Sequence, residues 1–477
     1  IRGRATYSES SARSSWRTDA LGGGPLVTAR ALDWSDYSRL DATDMAAVVG
    51  AGDVTADELR AAARDRHEAM AKTINAVVEW YARPDPVPAS SIGGPLAGVP
   101  FLRKDYGSAE AGRLVEMGSR LAAGHRATET SEYYERLKSA GAQVLGRTAV
   151  PELIQHGSTE SRATGITRNP HDPSLSAGGS SGGAAAAVAA GIVPAAHASD
   201  CAGSIRIPAA VCGLYGLKPS RRAVPWRDGG WGGVAEEFVV SRTLRDTALF
   251  WSVLTDRPAG VVPEREHLRI GLSVEHWAGA APDSSVVRAT EIAAEQFEHG
   301  GHRVSFIDQP VDNDQLMSTW HALFSRWVAR DIAGLEQSTG RRAGPDTLEP
   351  LTLALLEEVA LLTVADIGDA QVEQGRLTRR LERAMGSFDV LVTPTLGRPC
   401  IPLETLAGEV ESMDDYLRLN DETFPYSFLF NVAGWPALSV PVANPMTDGE
   451  PSHPLGVQLV GRPGTEPMLM TLAEQLS

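Results

Sequence analysis

LSAGGSSGGAAAAVAAG (residues 175–191) is the stretch that decides how this chain is read. Most of its first nine residues are Gly or Ser, and the rest is an alanine-rich segment suited to a helix. A loop so poor in side chains works through its backbone or its hydroxyls. A phosphate cradle at a helix N-terminus is one reading, but the G-K-[ST] ending and a strand-borne G-x-G-x-x-G are both missing. A nucleophile elbow is the second, because residues 178–182 satisfy G-x-S-x-G with Ser180 as the nucleophile of an α/β-hydrolase esterase. The preceding RNPHDPSLSA (168–177), with two prolines and no strand-like run, does not supply the strand that an elbow needs.

The third reading joins this loop to two other segments. In DCAGSIR (200–206), Ser204 follows small residues that let backbone N–H groups converge on one point, as an oxyanion hole requires. Ser204 lies 24 positions after Ser180, room for a helix and a strand that return the chain to the same place. Upstream, GVPFLRKD (98–105) puts Lys104 at the end of an apolar strand, where burial favours the neutral amine. Two serines and a desolvated lysine form a complete set for acyl transfer without histidine.

GGSSGG, DCAGSIR and GVPFLRKD together resemble the amidase signature family of serine hydrolases. CGLYGLKPSR (212–221), NAVVEW, GRTAVPEL, SRTLRDTA and FNVAGWPALSVPVA extend the likeness over roughly residues 41 to 477. The resemblance implies Ser204 as nucleophile, Ser180 as the bridging hydroxyl behind a cis Gly179–Ser180 bond, and Lys104 as the base. It places the oxyanion hole on the N–H groups of Cys201, Ala202 and Gly203, with Ser181 in support. Asp200 and Arg206 resemble the charged pair that braces this loop without reacting. Many members carry two glycines before the nucleophile. Here Cys201-Ala202 precede Gly203, an arrangement similar to the nylon-oligomer (cyclic-dimer) hydrolase branch. Cys201 is expected to be a buried small residue and not a nucleophile.

Composition is consistent with this. The chain has 477 residues, 43% hydrophobic and 22% charged, with a formal net charge of −16. An acidic chain does not suit nucleic acid or an anionic membrane as partner. The three cysteines form no disulfide framework, which points to a reducing cytoplasm. No apolar run is long enough to span a membrane. Residues 1–40 read as a polar extension without the apolar core of a secretory signal. Residues 41–477 read as one α/β domain with a mixed central sheet covered by helices on both faces. A helical insertion between about 310 and 385 belongs to a substrate-shaping region of about 222–385.

Among weaker candidates, His197 is expected to be a core histidine, and His299 and His302 do not share a helix face suited to a metal. Trp226 and Trp231 are candidates to line a hydrophobic pocket. The expected activity is hydrolysis of a medium-sized apolar amide, anilide or carbamate through an acyl-enzyme on Ser204. No metal or cofactor is called for. Expected partners are the small-molecule substrate and at most a second copy in a homodimer. The competing enzyme reading is a glutaminase subunit of a tRNA-dependent amidotransferase. GRTAVPELIQHGS disfavours it, because the N-M-D-E-F-type sequence expected after the strand is missing.

Overall fold

The computed structural model describes residues 34–85, 91, 93–226, 232–258, 267–405, 412–443 and 453–476. Trp231 and most of the N-terminal extension lie outside them. The first described helix is α1 (Trp34–Arg39), and its Tyr37 is buried and donates to the carbonyl of Ile192 at 2.8 Å. The boundary expected at residue 41 therefore falls late, since α1 packs on the domain.

Local signals set the next elements. Helix α2 (Ala42–Ala51) opens under Asp41, whose carboxylate accepts the Asp44 N–H, and closes on Gly52 at φ 78°. Helix α3 (Ala56–Ile74) carries the capping box expected from Thr55 and Glu58, satisfying two otherwise orphaned N–H groups. The strands β1 (Val77–Trp80) and β2 (Pro100–Lys104) follow, then α4 (Glu132–Ala140) and β3 (Gln143–Thr148). A two-stranded hairpin, β4 (Glu160–Ser161) with β5 (Gly165–Ile166), stands apart.

The Gly/Ser loop leads into α5 (Gly182–Ala189), which is followed by β6 (Ala195–Asp200), α6 (Arg206–Cys212) and β7 (Tyr215–Lys218). A Cβ on Gly183 would lie 2.4 Å from the backbone nitrogen of Ala149, so α5 needs glycine to approach this closely. The chain continues through β8 (Glu236–Ser241), α7 (Leu244–Thr255), β9 (Arg269–Leu272), α8 (Ser284–His299) and β10 (Arg303–Phe306). Three helices come next, α9 (Asn313–Thr339), α10 (Pro350–Val359) and α11 (Val364–Ala384). The last elements are β11 (Val390–Pro394), α12 (Met413–Thr423), α13 (Phe428–Ala433), β12 (Ala437–Val442), β13 (Leu455–Gly461) and α14 (Glu466–Ala473).

Eleven strands form one sheet in the order β1-β3-β2-β6-β8-β7-β12-β13-β11-β9-β10. Pairing is mixed: β2 runs parallel to β3 and β6, whereas β8 is antiparallel to both β6 and β7. Strands β2, β3, β6, β7, β8 and β11 are buried at every position, so helices cover both faces. Within 222–385, the strands β8, β9 and β10 belong to the central sheet. Only α9, α10 and α11 form the added helical layer.

Candidate active site

Lys104 ends β2, and β6 lies beside it. Its amine is fully buried and sits 2.8 Å from Ser180 Oγ, 2.8 Å from Ser181 Oγ, 2.9 Å from Ser199 Oγ and 3.3 Å from the Ser199 carbonyl. The Gly179–Ser180 bond is cis. A Cβ on Gly179 would lie 2.6 Å from the carbonyl oxygens of both His156 and Ser158, so only glycine fits there. Residues 177–181 form neither helix nor strand. The elbow reading of Ser180 lacks its strand.

Burial pushes the Lys104 amine down from 10.5 to about 7, against the pull of Asp200, Glu237 and Cys201. An amine at this value is half neutral at physiological pH. Ser199 was missed in the sequence, although a signal was present. His197 and Ser199 are alternate residues of an otherwise alanine-rich strand and share one face. Polar side chains in a fully buried strand need partners.

After β6 the chain turns sharply around the Asp200 carboxylate, which accepts the N–H groups of Gly203 at 2.7 Å and Ile205 at 3.2 Å. This corrects one expectation: the Gly203 N–H is committed to Asp200 and is not open to an oxyanion. The carbonyls of the turn are also held. Trp320 of α9 donates its indole N–H to the Cys201 carbonyl at 3.2 Å, and the Ser427 hydroxyl donates to the Ala202 carbonyl at 2.6 Å. Among the described residues, no backbone acceptor takes the N–H groups of Cys201, Ala202 or Ser204. Ser204 itself is half-buried at the exit of the turn.

Asp200 and Arg206 form a buried bidentate pair, both contacts 2.9 Å. Arg206 also donates to Gln458 Oε1 at 2.7 Å and Asn431 Oδ1 at 2.6 Å. Burial pushes the Asp200 carboxyl up, but Arg206, Lys218 and Asn431 outweigh it and hold the group well below the usual carboxylate range. Burial raises the Cys201 thiol far above its ordinary value, which disfavours a thiolate. His197 accepts the Lys104 backbone N–H, and the His302 ring engages the Leu268 N–H.

Trp320 stacks on Phe324 at 4.5 Å and meets Phe428 edge-on at 4.8 Å, a buried aromatic cluster that packs behind the Cys201 turn. A cavity of about 780 Å³ is lined by Tyr106, Gly107, Ser108, Met117, Trp226 and Arg330 among others, and by none of Lys104, Ser180 or Ser204.

The family model described as Amidase matches residues 58–470. A putative amidase, AmiB2 of Mycobacterium tuberculosis, is 35% identical over 396 residues, covering 80% of this chain and 82% of the relative. The acylamidase of Rhodococcus erythropolis is 31% identical, covering 94% of this chain and 96% of the relative. The solved structure of 6-aminohexanoate cyclic dimer hydrolase superposes with a TM-score of 0.83 at 28% identity, covering 92% of this chain and 96% of that one. The chain belongs to the amidase signature family and is a hydrolase of carbon–nitrogen bonds other than peptide bonds.

Proposed function

We propose that the chain hydrolyses a medium-sized apolar amide, anilide or carbamate through an acyl-enzyme on Ser204. The observation that carries this reading is the buried Lys104 amine, 2.8 Å from Ser180 Oγ and lowered to about 7. A neutral amine has two hydrogens and one lone pair. Ser181 and Ser199 take the hydrogens, and the lone pair is left for the Ser180 proton. Ser180 in turn accepts the proton of Ser204 as that oxygen attacks the carbonyl. The N–H groups of Cys201, Ala202 and Ser204 stabilise the oxyanion. The proton returns along the same path to the leaving amine, and water then releases the acyl group.

The substrate class is supported by the relatives named for an acylamide and for a cyclic amide dimer. They also favour a free-standing hydrolase over an amidotransferase subunit. The test is turnover of p-nitroanilides, short polyamide oligomers and aryl carbamates by wild type and Ser204→Ala, with intact-mass detection of an acylated Ser204. Full turnover by Ser204→Ala would overturn the assignment, and glutamine hydrolysis only with added partner subunits would favour the amidotransferase.

A further inference from the structure

Glu237 of β8 faces Ser199 in the antiparallel β6–β8 register, and His197 lies two residues away on the same face of β6. The His197 Nδ1 accepts the backbone N–H of Lys104 at 3.3 Å. That assigns the ring proton to Nε2, which lies 3.6 Å from Glu237 Oε1. The Glu237 carboxylate also accepts the Ser108 N–H at 2.6 Å and the Ser108 hydroxyl. His197 and Glu237 are both fully buried. Even a Cβ on Gly107 would lie 2.0 Å from Glu237 Oε1. The site is thus built tightly around this carboxylate.

The charged and titratable groups around it come from β6, β2, α4 and β8 itself. His197 and Asp200 lie on β6 with Cys201 just after it, Arg103 and Asp105 flank Lys104 at the end of β2, Tyr133 and Tyr134 come from α4, and Glu236 precedes Glu237 on β8. Asp200 is neutralised by Arg206, and Asp105 is paired with Arg147 at 2.7 Å. Among the described residues Glu237 makes no ion pair with an arginine or lysine. Asp200 and Glu237 both raise the proton affinity of the Lys104 amine, and of the two Glu237 is the one without an arginine partner.

We propose that Glu237, aimed by Ser108 and His197, is a positioning residue that holds up the proton affinity of the Lys104 amine and so sets the acid limb of the reaction. The inference rests on Lys104 being the base in the reading above. Burial alone favours the neutral amine, and a buried anion opposes it. Without Glu237 the amine is neutral at lower pH but is a weaker base.

The test is the rate at which a fluorophosphonate labels Ser204, followed by intact mass across the pH range for wild type, Glu237→Gln and Glu237→Asp. Glu237→Gln is expected to move the acid limb down by roughly one pH unit and to lower the plateau several-fold. Glu237→Asp, which keeps the charge, restores most of the wild-type limb. Should Glu237→Gln fail to fold, Ser108→Ala, which weakens stabilisation of the ionised carboxylate, shifts the limb in the same direction by less. A folded variant with normal labelling and an unmoved limb overturns this inference alone. A wild type whose Ser204 takes no label overturns it together with the reading on which it rests.

Discussion

Replacing Lys104 with methionine separates the energetic cost of the buried amine from its other roles. In the folded chain the amine falls from 10.5 to about 7, so folding disfavours the charged form. Below about pH 7 the folded wild type carries the full penalty of a buried charge. The penalty fades as pH rises and is gone above the unfolded value. Between pH 6 and pH 9 the wild type is therefore expected to gain about 3 kcal/mol relative to Lys104→Met. The hydroxyls of Ser180, Ser181 and Ser199 lose a partner in the variant, but that cost is the same at every pH and drops out of the comparison. Denaturant unfolding of both proteins at the two pH values measures it. A difference that stays flat to within about 1 kcal/mol would refute a depressed, buried amine and with it the neutral base.

Arg206→Met strands the buried Asp200 carboxylate and is expected to cost about 3–5 kcal/mol, read as a melting temperature lower by roughly 3–5 °C. Trp320→Phe keeps the ring but removes the N–H held by the Cys201 carbonyl. Steady-state kinetics should show kcat reduced about tenfold with KM little changed, and an unchanged kcat would mean that Ser427 holds the turn alone. Gly179→Ala drives a Cβ to 2.6 Å from two carbonyl oxygens. Thermal melting should register a loss of about 1–3 kcal/mol, with slower labelling of Ser204.

Local chemistry in the chain was enough to place the helices, the strands and the Lys104, Ser180 and Ser204 segments. Capping residues such as Thr55 and Glu58, and the glycine stops at Gly52 and Gly141, act within a few positions and are legible as letters. So is the demand for a loop without side chains around Ser180. The expected α/β class follows from the same alternation of periodicities. Less legible was the extent of the domain at its N-terminal side, where a polar segment conceals the buried Tyr37.

What only the tertiary structure decided are the contacts made across long stretches of chain. Arg206 finds Gln458, 252 residues away, and Trp320 reaches Cys201 across 119. Glu152 accepts the backbone N–H of Glu349 and so caps α10 from 197 residues upstream. Which N–H of the Cys201–Ser204 turn stays open depends on where the Asp200 carboxylate points, and that Glu237 faces Ser199 depends on the register of β6 against β8. Backbone propensity and side-chain polarity travel with the residue. Hydrogen-bond partners and electric fields depend on distances in space, which no spacing along the chain encodes.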